Sequence, residues 1–252
     1  MYFKFICVII IIICLFLSYK IRNERFSTQI NTKKLIDKIC VINLDRRKDR
    51  LKHIDTGLKK NKLEYERFAA CDGTNLNKYK KDIEKYFDKN HKLNNGQVGC
   101  ALSHIKIWEK ILKNGNKNTL ILEDDAVLPD NLLERINNIN TELPKKYNMI
   151  LLGCCSCEAN IINNKNFILE GSKNSNANWC ATAYIINYKF VKKILELISN
   201  NKLKLSIDNY LQQKIYPKYD FYISLPPFIK QNKELESDII MGDLGNKIKI
   251  TF

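Results

Sequence analysis

Short apolar runs alternate with amphipathic helical patterns from residue 38 onward, and this alternation limits the possible folds more than any other feature of the chain. The strand-like runs are residues 39–44, 63–68, 119–122, 149–152 and 179–187. The helical stripes, with apolar side chains three or four positions apart, cover residues 51–58, 98–112, 132–139 and 190–198. Alternating strands and helices predict one α/β domain with a largely parallel sheet.

The amino-terminal part of the chain has a different pattern. Residues 5–17 are thirteen apolar residues without a break, about 20 Å of helix against a bilayer core of about 30 Å. Residues 15–19 lack the small-residue cleavage site of a secretory signal peptide. We therefore expect an uncleaved transmembrane anchor at residues 1–19, a polar stem at 20–37 and the folded domain at 38–252. This predicts a single-pass membrane protein, with its orientation left open because basic residues flank the segment on both sides.

The charge of the chain is strongly positive, at +15, but only seven of its 42 basic residues are Arg. A nucleic-acid-binding surface is expected to cluster Arg among aromatic residues, and the sequence has no such cluster. We therefore expect no nucleic-acid partner. The positive field would attract an anionic substrate or a membrane surface. A hydrophobic content of 45% excludes a disordered or fibrous protein.

Three of the nine cysteines form the run Cys154-Cys155-Ser156-Cys157. A closed zinc site needs four ligands, usually in two separated pairs, and neither a second pair nor a nearby His accompanies this run. The pattern favours small apolar residues at the end of a strand, and it supports no disulfide framework.

Three adjacent acidic residues, Glu123, Asp124 and Asp125, follow the strand-like run at residues 119–122. Their mutual repulsion has to be relieved by a cation or by solvent. Ligands of α/β proteins bind at the carboxyl ends of the strands, and hard carboxylate oxygens suit Mg²⁺ or Mn²⁺. By itself the triplet fits a metal site and a solvated strand-to-helix connection equally well.

Several short motifs follow one another along the chain, and their order is more specific than any one of them. They are residues 42–50 (INLDRRKDR), 99–104 (GCALSH), 122–126 (LEDDA), 147–153 (YNMILLG) and 181–186 (ATAYII), followed by Ile207-Asp208, Gln231 and Ser237-Asp238. Together they resemble glycosyltransferase family 25, which includes bacterial lipopolysaccharide galactosyltransferases and collagen galactosyltransferases. The resemblance covers residues 38–240.

The resemblance implies a GT-A-like fold, a Rossmann-type mixed sheet flanked by helices, in which an acidic motif holds Mn²⁺ (or Mg²⁺) against a UDP-sugar. By the same resemblance Asp125 and Glu123 are the expected metal ligands, and Asp124 is expected to contact the nucleotide-sugar. The motif here is Glu-Asp-Asp rather than Asp-x-Asp. Family members resemble inverting enzymes, so Asp208 is the candidate base for the acceptor hydroxyl. Its alternative role is that of a helix N-cap.

Other residues of the resemblance have candidate roles around the donor. His104 is expected at the catalytic site, against the alternative of a hydrogen-bonded core histidine. Arg46, Arg47 and Arg50 follow the first strand and are expected to hold the diphosphate, with a solvated helix face as the alternative for at least one of them. Gln97 leads into the long helical stripe, whose N-terminus is expected to face an anion.

The expected function is that of a metal-dependent glycosyltransferase, which moves galactose from a UDP-sugar to a hydroxyl of a glycan, lipid-linked or protein acceptor. The alternative is a catalytically inactive protein of the same fold that binds a sugar nucleotide or a glycan. The intact acidic triplet argues against this alternative. A basic, membrane-tethered structural or nucleic-acid-associated protein is a third hypothesis. The Asn-rich residues 160–178, which we expect to form a surface loop or lid, carry no readable code for the acceptor.

Overall fold

A large sheet with helices on both faces forms the centre of the protein, of which this computed structural model describes residues 35–174, 177–179 and 181–239. The strands of this sheet are β1 (Lys38–Asn43), β2 (Glu66–Ala69), β3 (Asn118–Glu123), β5 (Met149–Leu151), β6 (Ala159–Asn160), β7 (Ile168–Gly171), β8 (Ala183–Asn187) and β9 (Phe221–Ser224). Their spatial order is β2-β1-β3-β8-β5-β9-β7-β6. Two further strands, β4 (Ala126–Val127) and β10 (Lys230–Gln231), pair with each other.

The sheet is mixed rather than largely parallel. Strand β1 is parallel to β2 and β3, whereas β8 is antiparallel to both β3 and β5. Between β5 and β8 the described residues, 152–174, 177–179 and 181–182, form the β6–β7 hairpin and no helix, and a parallel connection normally needs a helical crossover. The mixed α/β sheet implied by the family resemblance is therefore confirmed, and the largely parallel sheet predicted from the alternation alone is wrong.

Helices pack on both faces of the sheet. They are α1 (Lys48–Lys60), α2 (Lys80–Tyr86), α3 (Asn95–Asn114), α4 (Leu132–Glu142), α5 (Tyr188–Asn200) and α6 (Ile207–Tyr210), with a 3₁₀ segment at Gly73–Tyr79 and a π-helical turn at Leu211–Ile215. In β1, Cys40 and Ile42 face the layer of α3 and α5, and Ile39 and Val41 face that of α1 and α4. Because successive side chains alternate between two covered faces, residues 39–42 are all apolar.

Helix α3 is the longest helix of the described chain, and both its ends are defined by local sequence. Asn94 and Gln97 form a capping box, in which each side chain accepts a hydrogen bond from the backbone N–H of the other residue. The helix ends at Gly115, which has a φ of 70°. Glycine adopts this left-handed conformation without steric cost, and it terminates helices for that reason.

The segment at residues 160–178, expected to be a surface loop or lid, contributes a strand to the sheet. Ile168 and Leu169 in β7 are buried, and β7 pairs with β9. Gly171 lies against the ring of Phe221, where a Cβ would come within 2.1 Å of the ring. The strand has only two large apolar side chains among Asn-rich neighbours, and its pairing is decided by residues more than 50 positions away, so the local sequence pattern does not indicate it.

The predicted single-pass membrane localisation is contradicted by the structure. Within residues 35–174, 177–179 and 181–239, no helix has the length and apolar character needed to cross a bilayer. The expected anchor at residues 1–19 and the stem up to residue 34 lie outside the described residues. Leu35 and Ile36, assigned to the stem, are buried in the layer of α1 and α4.

The cysteine run after β5 is cross-linked. Cys154 and Cys157 form a disulfide, with their Cα atoms 5.5 Å apart. This corrects the expectation of merely apolar cysteines. The turn after β5 brings together two cysteines that are only three positions apart in the sequence.

We expect Gly153→Ala to destabilise the protein by about 3 kcal/mol or more. A Cβ on Gly153 would lie 1.8 Å from the carbonyl oxygen of Ile229, and backbone cannot rotate away as a side chain can. The matched control is Gly57→Ala in α1, whose Cβ would meet only the side chain of Leu128 at 3.4 Å. It should be neutral or stabilising by up to about 1 kcal/mol, because Ala favours helix over Gly. Urea unfolding measures both, and equal midpoints would contradict the prediction.

Candidate active site

A cavity of about 280 Å³ opens at the edge of the sheet where β1 and β3 end. These two strands are parallel neighbours, so both present their carboxyl ends there, and antiparallel β8 begins at the same edge. Open α/β sheets bind their ligands at such an edge. The charged residues that line the cavity are Arg46, Arg50, Asp72, Glu123, Asp124, Asp125, Asp208 and Asp238.

Arg50, in the first turn of α1, directs its guanidinium into the acidic triplet. Its Nε lies 2.8 Å from Asp124 Oδ1, and its Nη2 donates to Asp125 Oδ2. The amide of Asn43 donates to Asp124 Oδ2 at 2.7 Å, and the amide of Gln231 donates to Asp125 Oδ2 at 3.0 Å. Both oxygens of Asp124 are thus engaged within the protein. Asp124 also lines the cavity, so its contact with a nucleotide-sugar stays a prediction, beside its observed role of holding Arg50 and Asn43.

Three carboxyl groups in the cavity, those of Glu123, Asp125 and Asp208, have a raised pKa or an oxygen without a hydrogen-bond partner among the described residues. Burial, with the neighbouring charge of Asp125, raises the pKa of Glu123 to about 8. Burial, with the charge of Glu123, raises the pKa of Asp208 to about 7. Asp125 Oδ1 and Asp208 Oδ1 are buried and accept no hydrogen bond from the described residues. Crowding of acids in a cleft with unsatisfied oxygens is typical of functional sites.

These groups fit a divalent cation. Carboxylate oxygens are the ligands that Mn²⁺ and Mg²⁺ prefer, and a dication would satisfy Asp125 Oδ1 and relieve the repulsion between Asp125 and Glu123. In the described part of the chain, Cys100, His104 and Glu123 also bring potential ligand atoms within 4.8 Å of one another. A possible metal site is therefore present at the end of β3, with Glu123 common to both sets of ligands.

The three arginines that follow β1 converge on Asp238 from different sides. Arg46 Nη2 lies 2.6 Å from Asp238 Oδ1, and Arg47 Nη1 and Arg50 Nη1 lie 2.7 Å and 3.6 Å from Oδ2. Arg46 and Arg50 line the cavity, as expected for residues that bind a diphosphate. Arg47 does not belong to the lining, and its half-buried guanidinium pairs with Asp49 as well as with Asp238.

His104 is fully buried behind Glu123. Its Nε2 lies 3.4 Å from Glu123 Oε1 and its Nδ1 lies 2.7 Å from the hydroxyl of Tyr184. Burial lowers the pKa of the imidazole to about 4, which keeps it neutral. His104 is absent from the cavity lining. His104 is thus a hydrogen-bonded core histidine in contact with a cavity residue, and its expected part in catalysis stays a prediction.

Gln97 is likewise placed outside the cavity lining. Its side-chain carbonyl accepts from the backbone N–H of Asn94 in the capping box of α3. The residue thus stabilises the start of a helix, and its contact with a nucleotide-sugar stays a prediction. An N-cap residue followed three positions later by Gln is a capping signal that the sequence does contain, beginning at Asn94.

Asp208 is the second residue of α6, and Ser206 stands at the N-cap position. The N-cap alternative for Asp208 is therefore wrong. The backbone N–H of Ala181 donates to the carboxylate, and the side chain lines the cavity with Glu123.

Two side-chain amides complete the site and had no predicted role. Asn43 is the last residue of β1 and is buried. A buried amide needs hydrogen-bond partners, so an Asn at the end of an apolar run could have indicated a polar site there. Gln231 belongs to the motif series, but its contact with Asp125 bridges 106 residues and depends on the pairing of β10 with β4. No spacing in the sequence indicates that contact.

A family model identifies the family of this chain, and curated relatives match the same part of it. The family model described as glycosyltransferase family 25 (LPS biosynthesis protein) matches residues 36–211. A procollagen lysyl hydroxylase and glycosyltransferase of Acanthamoeba polyphaga mimivirus is 32% identical over 181 residues, which cover 64% of this chain and 20% of that protein. Procollagen galactosyltransferase 1 of Danio rerio is 25% identical over 186 residues, which cover 69% of this chain and 31% of that protein.

The chain thus matches between 20% and 31% of the length of these curated relatives. Among solved structures, a glycosyltransferase involved in the glycosylation of the major capsid of PBCV-1 aligns at 7% identity and a TM-score of 0.40, over 74% of this chain and 80% of that one. The family model covers the first strand, the long helix, the acidic triplet and Asp208 in one continuous match. This chain belongs to glycosyltransferase family 25.

Proposed function

We propose that this protein is a metal-dependent glycosyltransferase that moves a sugar from a UDP-sugar to an acceptor hydroxyl. The observation that carries the proposal is one cavity, in a chain of family 25, that combines the carboxyl groups of Glu123, Asp125 and Asp208 with the guanidinium groups of Arg46 and Arg50. Galactose is the proposed sugar because a matched relative is named as a procollagen galactosyltransferase. The acceptor is a glycan, lipid-linked or protein hydroxyl.

The proposed donor half of the site contains two arginines that are paired with an aspartate. The diphosphate of a UDP-sugar would replace that aspartate as their partner. Arg46 and Arg50 face the cavity and are engaged by Asp238, whose anionic oxygens lie where those of a diphosphate would bind. Guanidinium groups bind phosphate oxygens in bidentate fashion. Glu123 and Asp125 would hold the divalent cation, which in a GT-A-type site neutralises charge on the departing diphosphate.

Asp208 is the proposed base of an inverting transfer. Its carboxylate takes the proton of the acceptor hydroxyl while that oxygen attacks the anomeric carbon of the donor sugar. A new carbon–oxygen bond forms on the face opposite the diphosphate, the old anomeric carbon–oxygen bond breaks, and UDP leaves with its electron pair. Asp208 suits this role because its Oδ1 is free of hydrogen bonds from the described residues and lies at the cavity.

The raised pKa of Asp208 predicts the pH dependence of the transfer. Because burial raises this pKa to about 7, the carboxylate form declines as pH falls below 7. At saturating Mn²⁺, which would keep Glu123 ionised, we expect kcat/KM to rise roughly tenfold per pH unit between pH 5 and 6.5 and to level off above about pH 7.5, as for a single essential base. Initial rates of UDP release over this range test it. Asp220→Asn, at an exposed carboxylate, should keep the same profile. A flat profile in an active enzyme would contradict the assignment of Asp208.

Release of UDP from a panel of UDP-sugars tests the proposed function itself. The full chain is incubated with UDP-galactose, UDP-glucose or UDP-N-acetylglucosamine, with Mn²⁺ or EDTA, and with mixed glycan and collagen-like peptide acceptors. We expect Mn²⁺-dependent release from UDP-galactose. Metal-dependent UDP binding without release, in a chain shown to be folded, would instead support the inactive binding protein. Neither binding nor release would contradict both.

A further inference from the structure

A chain of buried polar groups connects the core to Glu123. Trp108 Nε1 lies 3.1 Å from the hydroxyl of Tyr184, that hydroxyl lies 2.7 Å from His104 Nδ1, and His104 Nε2 lies 3.4 Å from Glu123 Oε1. Trp108, Tyr184 and His104 are all completely buried. The proposed transfer uses only the last member, Glu123, so three polar side chains in the core have no role in it.

The fold places these four residues on one face. His104 and Trp108 are four positions apart in α3, so they lie on the same side of that helix. Tyr184 pairs with Ile121 across β8 and β3, and Glu123 follows Ile121 by two positions on the same face of the sheet. The ring of Tyr184 stacks on that of His104, with centroids 5.7 Å apart.

The direction of each hydrogen bond follows from the chemistry of the groups. The indole N–H of Trp108 can only donate, so the oxygen of Tyr184 accepts from it. Tyr184 has one proton to donate, and among the described residues its remaining hydrogen-bond partner is His104 Nδ1. If Nδ1 carried a proton, the oxygen of Tyr184 would accept twice and its own proton would be left unbonded in the core, at a cost of about 1–3 kcal/mol.

We infer that Tyr184 fixes His104 in the tautomer protonated at Nε2, and that His104 thereby orients the Glu123 carboxylate toward the cavity. His104, Tyr184 and Trp108 are positioning residues, because none of them lines the cavity. The tautomer itself does not depend on the proposed function. Only its consequence, a Glu123 carboxylate oriented to bind the metal, rests on the proposed function. Partners behind a metal ligand typically change metal affinity or activity 10- to 100-fold when they are removed.

The tautomer can be measured without substrate or metal. Long-range ¹H–¹⁵N correlation spectra of the ¹⁵N-labelled full chain distinguish a protonated from an unprotonated ring nitrogen. The chain has three histidines, so His53→Gln and His91→Gln assign the signals of His104. We expect Nε2 protonated and Nδ1 unprotonated in the wild-type protein, and a mixture of tautomers in Tyr184→Phe. A proton on Nδ1 in the wild type, or no change in Tyr184→Phe, would overturn the inference.

Manganese binding supplies the second measurement, with a control that is equally buried. Tyr86→Phe removes a buried hydroxyl of α2 that hydrogen-bonds to Glu109. Glu109 lies on α3, as His104 does, but the hydrogen-bond partners of His104 are Tyr184 and Glu123, not Tyr86. Measured by electron paramagnetic resonance of free Mn²⁺, the Kd should rise about tenfold in Tyr184→Phe and remain unchanged in Tyr86→Phe. Equal effects of the two variants would overturn the positioning role. Because the tautomer is read in the metal-free chain, it stands even if the chain binds no Mn²⁺ and the proposed function fails.

Discussion

Asp125→Asn is expected to lower the rate of UDP release by about 100-fold or more while leaving the fold intact. Loss of one electrostatic contact to the leaving group typically costs that much. An amide is isosteric with the carboxylate but carries no charge, and its single oxygen is already used by Arg50 and Gln231, so it offers the cation no anionic ligand. Asp125 Oδ2 accepts from Arg50 and Gln231, whereas Oδ1 has no partner among the described residues. The substituted amide can therefore keep its oxygen toward Arg50 and place its NH₂ at the position of Oδ1.

Three measurements separate this loss of chemistry from a loss of structure. UDP release and Mn²⁺ affinity should both fall in Asp125→Asn, and the thermal midpoint should change by only a few degrees. The matched control is Asp130→Asn, an exposed aspartate that pairs with Lys60 on the surface. It should behave as the wild type in all three. Full activity of Asp125→Asn would show that the metal site has been placed on the wrong carboxylate.

Arg50→Met is expected to destabilise the protein by about 3–5 kcal/mol, the largest effect of any single change at the site. The Arg50 side chain is only 9% exposed and neutralises Asp124 and Asp125, which are about equally buried. Removing the cation leaves two buried carboxylates without their counter-charge, although Met fills most of the volume. Arg50, Asp124 and Asp125 are all buried, so solvent screens their charges only weakly.

The control for Arg50→Met is Arg47→Met, three positions earlier in the chain. Arg47 forms ion pairs with Asp49 and Asp238, both of which are more exposed, and such pairs contribute about 1 kcal/mol or less. Urea unfolding of the two variants should therefore give clearly different midpoints. If Arg50→Met and Arg47→Met unfolded alike, the buried ion cluster would not be the stabilising centre described above.

The parts of the protein that could be predicted from sequence are those determined by local patterns. Strands β1 and β3 and helix α3 were predictable because their apolar patterns are local and their ends carry local signals, such as Gly115. The acidic triplet was expected at a strand end for the same reason, and it is there. Local pattern and tertiary requirement agree at these positions.

Long-range pairing accounts for most of what the sequence did not indicate. Whether Arg50 contacts a ligand or Asp124 depends on how α1 packs against β1 and β3. Arg50 and Asp124 are 74 positions apart in the sequence. The burial of His104 behind Glu123, and the antiparallel direction of β8, depend in the same way on the whole sheet. Arg46, Arg47 and Arg50 were equivalent as a motif, and only the fold distinguishes those that face the cavity from the one that does not.

The central claim is that the cavity at the ends of β1 and β3 binds a divalent cation and a nucleoside diphosphate together. Anomalous diffraction from crystals of the full chain grown with Mn²⁺ and UDP tests it most directly. We predict a manganese peak in contact with the carboxylates of Glu123 and Asp125, and the diphosphate beside Arg46 and Arg50 in place of Asp238. A manganese or UDP position elsewhere on the protein, or a cavity still closed by Asp238 at saturating UDP, would contradict the account.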